Sequence, residues 1–82
     1  MTPEQIASEI QFMRERHTLP SQALLDLAIE RGWFSIRLQN SIINRGPGSP
    51  APSLPSRLYT EMIERMDWVL DNIAHPPSSA AH

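Results

Sequence analysis

Apolar residues recur along this chain at intervals of three and four, the period of a helix, and no segment alternates with the period of two that marks a strand. The first run opens on Thr2-Pro3-Glu4-Gln5, which reads as an N-cap, a proline at the first helical position and a glutamine placed to complete a capping box. Ile6, Ile10, Met13 and His17 follow on one stripe, with Phe12 well off it among polar residues. The spacing predicts a helix over 3–17, stopped by Leu19-Pro20 because the residue before a proline disfavours α geometry. A second helix over 21–31, capped by Ser21 or Thr18, carries Ala23, Leu24, Leu25, Leu27, Ala28 and Ile29 on a broad arc, so it is expected to be the most buried element. Within it, Leu24, Leu27 and Ala28 are expected to lie almost wholly inside. Gly32 is placed to end it in a left-handed cap.

Ser35 caps a third helix over 36–45, whose apolar positions form two strips, Ile36/Ile43 and Leu38/Ile42. Residues 46–55, GPGSPAPSLP, hold four prolines, two glycines and two serines, which predicts a semi-rigid extended linker. Such a linker would let the last helix swing away from the others or cross to another subunit. The fourth helix, over 57–74 with Ser56 as its cap, is the longest. On it Tyr59, Met62, Met66, Val69 and Ile73 fall at heptad spacing and form a seam, flanked by Ile63 and Leu70. That seam serves either the chain's own core or a dimer. Leu19-Pro20-Ser21 and Leu54-Pro55-Ser56 are two uses of one helix-start signal. The fold expected is all-α, a small bundle of four helices in a single domain over 1–75, with a disordered tail at 76–82.

Composition narrows the function classes. The chain has 82 residues and no cysteine, so neither disulfides nor thiolate metal sites can staple it. Self-association is one remaining source of stability, and a homodimer is expected. His17, His75 and His82 have no acid or second histidine at metal-ligand spacing, so no metal is expected. No other cofactor is expected either. Seven basic residues stand against nine acidic ones, a net charge of −2, which is not the footprint of a protein that binds nucleic acid mainly through charge. No run approaches the ~20 apolar residues of a membrane span, and no signal peptide is read at the N-terminus, so a cytoplasmic protein without a membrane partner is expected. Nothing resembles a nucleophile elbow, a phosphate-cradling glycine loop or a carboxylate pair in a pocket, so an enzyme is not expected.

Two interaction readings remain. Leu27-Ala28, Gly32, Trp33 and Leu38 resemble the turn and locking positions of a helix-turn-helix unit spanning residues 21–45. Arg31 and Ser41 depart from that pattern, standing where it usually has apolar side chains. The resemblance implies DNA reading through Arg37, Gln39, Asn40 and Arg45. The favoured reading is a small helical regulator, inhibitor or adaptor that binds another protein. Its anchor is Trp68, which lies across the fourth helix from the seam, with Glu64, Asp67 and Asp71 as an acidic surround and Phe12 as a second aromatic contact. The alternative for Trp68 is that the linker or the first helix covers it.

Overall fold

The computed structural model describes residues 1–74, and the tail expected to be disordered lies outside them. The protein is all-α, with helices α1 (Pro3–Arg16), α2 (Gln22–Arg31), α3 (Ile36–Arg45) and α4 (Ser56–Ala74) and no strand among the described residues.

Local chemistry sets the helix ends. Thr2 and Gln5 exchange the two hydrogen bonds of a capping box, with Thr2 Oγ1 accepting from the Gln5 amide at 3.1 Å. Ser21 Oγ and Ser35 Oγ accept from the amides of Leu24 and Leu38. Gly32 takes the left-handed conformation (φ 68°) that ends α2, and its amide reaches back to Ala28 and Ile29. His17 does the same for α1 at φ 54° without a glycine's freedom. It is therefore an exposed cap rather than the last member of the α1 stripe. Ser56 belongs to α4 instead of capping it. The carbonyl of Pro55 accepts the first bond, from the amide of Tyr59.

The core is built from the inner stripes of all four helices: Ile6, Ile10 and Met13, then Leu24, Leu25 and Ala28, Leu38 and Ile42, and Leu58, Met62, Met66 and Val69. Helix α4 packs against α1, α3 and the short turn at 51–53. Its seam is core: Met62, Met66 and Val69 are buried, and Tyr59 and Ile73 pack partly buried at its edges. A dimer cannot use that seam without opening the protein. The α2 arc is narrower than its sequence suggests. Leu25 takes the buried place expected of Leu27, which is only partly buried, while Ala23 and Ile29 are exposed.

Residues 46–55 are the largest departure from expectation. They do not form a loose linker. Ala51–Ser53 is one turn of 3-10 helix, and the segment lies antiparallel along the α1–α2 connection. The Leu19 amide donates to Ser49 O at 2.7 Å, Gly48 to Pro20 O at 2.9 Å and Ala51 to His17 O at 2.7 Å. Leu19 and Pro20 are buried beneath this strap, and its own Ala51 and Leu54 turn inward and are buried with them. Gly46 and Gly48, at φ 96° and 83°, supply the left-handed residues that bend it into place. Four prolines exclude a regular ladder, yet three amides still find carbonyls across the two connections. The strap fixes the start of α4 instead of freeing it.

Candidate functional site

The core is closed, and Trp68, Phe12, Ile36 and Ile43 stand exposed on the outer faces. A nearly closed void between α1, the strap and α4 measures about 10 Å³, at the lower limit for one water. The larger depressions are open grooves on the surface, one of them on α1 lined by Met1, Gln5, Ser8, Glu9 and Phe12. Among the described residues no three His, Asp or Glu side chains gather as a metal-binding group, and no helix is long and apolar enough to cross a membrane.

Trp68 projects from α4 opposite the core and stays 48% exposed, so neither the strap nor α1 covers it. Its geometry is set by Arg65, one turn earlier. The Arg65 guanidinium lies 4.6 Å from the centre of the indole ring, and its Nε donates to Trp33 O at 2.6 Å. That carbonyl lies in the α2–α3 turn, so one side of the ring is held by a cation whose own position is fixed by the fold. The other members of the expected acidic surround divide. Glu64 and Asp71 are exposed on α4. Asp67 instead forms an ion pair with Arg14 of α1 on the opposite flank, which takes it out of the Trp68 surround. Glu61 accepts from Ser35 Oγ at 2.7 Å and so ties the start of α3 to α4.

Phe12 is 52% exposed and stacks with Arg16 at 5.2 Å. Its groove is made only of residues at the N-terminus and on α1. Helix α1 meets α4 through Arg14 and Asp67, at a different angle around the helix. Phe12 and Trp68 are therefore two separate aromatic patches, each under its own arginine, rather than one site.

The four DNA-reading candidates are also divided. Gln39 Nε2 turns back to Phe34 O at 3.1 Å, and Arg45 is tied to the strap through Nε and Ser53 O at 3.0 Å. Only Arg37 and Asn40 project freely. Beside them stand two residues the sequence reading did not assign to a site. Ile36 is 73% exposed and Ile43 52%, and they share with Asn40 the outward face of α3. The seven-residue interval between the two isoleucines already marked a second apolar strip. The sequence could not say which of the two strips faces inward. Arg65 was likewise unassigned, although an arginine three residues before a tryptophan on a helix is a legible stacking pair.

No protein-family model, curated protein or solved structure matches this chain.

Proposed function

We propose that the chain is a non-catalytic helical protein–protein interaction protein, a regulator, inhibitor or adaptor that binds another protein chain through the outer face of α4. The observation that carries this reading is Trp68, left half-exposed on a protein whose core is otherwise closed and clamped on one ring face by a guanidinium that the α2–α3 turn holds in place. An anchor fixed before binding loses little side-chain freedom on association, and tryptophan is enriched where binding energy concentrates. Glu64 and Asp71 flank it and suit a partner with basic groups around an apolar socket. The cysteine-free chain fits a cytoplasmic setting. DNA reading has weaker support, because two of its four side chains are spent on backbone carbonyls and the chain as a whole is acidic.

Site-specific photocrosslinking tests the reading. With the photoreactive residue p-benzoylphenylalanine in place of Asp71, expression in the native host should yield one discrete adduct, and Trp68→Ala should abolish it. Scattered adducts would show that this face binds nothing specific, and an adduct indifferent to Trp68 would show that Trp68 does not anchor the contact.

A further inference from the structure

We infer that the outer faces of α3 and α4 are the two halves of one interface between two copies of this chain, α3 of each copy lying on α4 of the other. The inference rests on the reading of Trp68 as an anchor and names its partner.

Charge sets α3 apart from the rest of the chain. Helix α3 contains Arg37 and Arg45 and no acid, although the chain as a whole is acidic. Its outward face is Ile36, Asn40 and Ile43 with Arg37 at the flank, apolar and basic together. From Glu64 onward the outer face of α4 has the opposite character. Glu64, Trp68 and Asp71 present two acids around an aromatic ring, and the only base there, Arg65, is spent on Trp68 and Trp33. Both triplets sit at positions i, i+4 and i+7, so both span about 10 Å of helix.

Charge then selects among the ways two copies can meet. Placing α3 on α3 brings arginines onto a face without an acid, and placing α4 on α4 sets Glu64 and Asp71 against themselves. Only the crossed arrangement matches a basic-apolar face to an acidic-aromatic one. In it Trp68 enters between Ile36 and Ile43, where Asn40 can accept the indole N–H and fix the register. Closure needs both faces on one side of the protomer. The Ser35–Glu61 hydrogen bond sets the N-cap of α3 against α4, two helical turns before Trp68, so the start of the α3 face and the α4 face meet at one junction. A two-fold axis there makes the crossed contact twice and leaves no open end. It also gives an 82-residue chain without staples the extra buried surface that such a chain commonly needs.

Sedimentation equilibrium of the full chain, with circular dichroism confirming the fold of each variant, provides the test. Wild type should be a dimer of the 9.3 kDa chain. Arg37→Glu alone, and Glu64→Arg/Asp71→Arg alone, should each weaken dimerisation by about tenfold or more, because each reverses one side of both contacts. Mixed in equal amounts, the two variants should form a heterodimer of near wild-type affinity, since every contact in it is again between opposite charges. A mixture no tighter than the separate variants would overturn the crossed interface. So would oligomers that grow past the dimer with concentration, or a wild-type monomer at all soluble concentrations. Amide NMR signals of α3 shifted by duplex DNA in a monomeric protein would reassign that face to nucleic acid. If Asp71 photocrosslinks to a foreign chain while the protein sediments as a monomer, the dimer falls and the anchor role of Trp68 stands.

Discussion

The strap at 46–55 and the outer face of α3 invert what their sequences suggest. The strap is rich in proline and glycine and has no helical period, yet it buries Ala51 and Leu54 and exchanges backbone hydrogen bonds with residues 17–20. Helix α3 is regular, well capped and apolar at four of its ten positions, yet it turns two of those four residues, Ile36 and Ile43, into solvent. Regular structure and burial are separate properties. Ala51 and Leu54 are inside because the strap closes the end of the core over Leu19 and the start of α4. The outer face of α3 is bare because Leu38 and Ile42 already satisfy the core from the opposite side. A segment that the fold needs can look like a linker, and a segment that the fold does not need can look like core.

The largest effect expected lies in the core that both regions border. Leu24→Ala removes a side chain with no exposed surface and should cost about 2–5 kcal/mol, whereas Leu27→Ala on the same helix, only partly buried, should cost clearly less. Chemical denaturation of the two variants side by side gives the comparison, and equal losses would show that α2 is rotated from the position described. The strap comes next. Leu54→Ala should cost about 2 kcal/mol or more, a loss that a loose linker would not show. An unchanged midpoint would return 46–55 to the role of a spacer and set α4 free.

Much of the fold was legible because its signals are local. Thr2 with Gln5, Ser21, Ser35 and Gly32 each act within four residues of themselves, so the sequence displays both the signal and its target. The strap was not legible, because its partners at 17–20 lie some thirty residues away and the pairing runs backbone to backbone, without a side-chain signature. The seam of α4 was visible as a stripe, but its destination depended on the strap, since a freely swinging α4 would have had to bury Met62 and Met66 elsewhere. The site was half legible. Trp68 could be read as lying opposite the seam, but the loss of Asp67 to Arg14 and of Arg45 to Ser53 required knowing which helices meet. The two strips of α3 were seen, but choosing between them needed the direction of the core.

If the apolar side chains outside the closed core serve association and not folding, Ile36→Ser/Ile43→Ser separates the two roles. Isoleucine and serine have similar helix propensities, so the exchange removes apolar surface while leaving the helix itself little changed. Thermal and denaturant unfolding should be followed in protein dilute enough to be monomeric, and sedimentation in concentrated protein. Monomer stability should stay within about 0.5 kcal/mol of wild type while self-association is lost. A dilute protein destabilised by about 2 kcal/mol or more, or one that still associates as wild type does, would contradict that separation of roles.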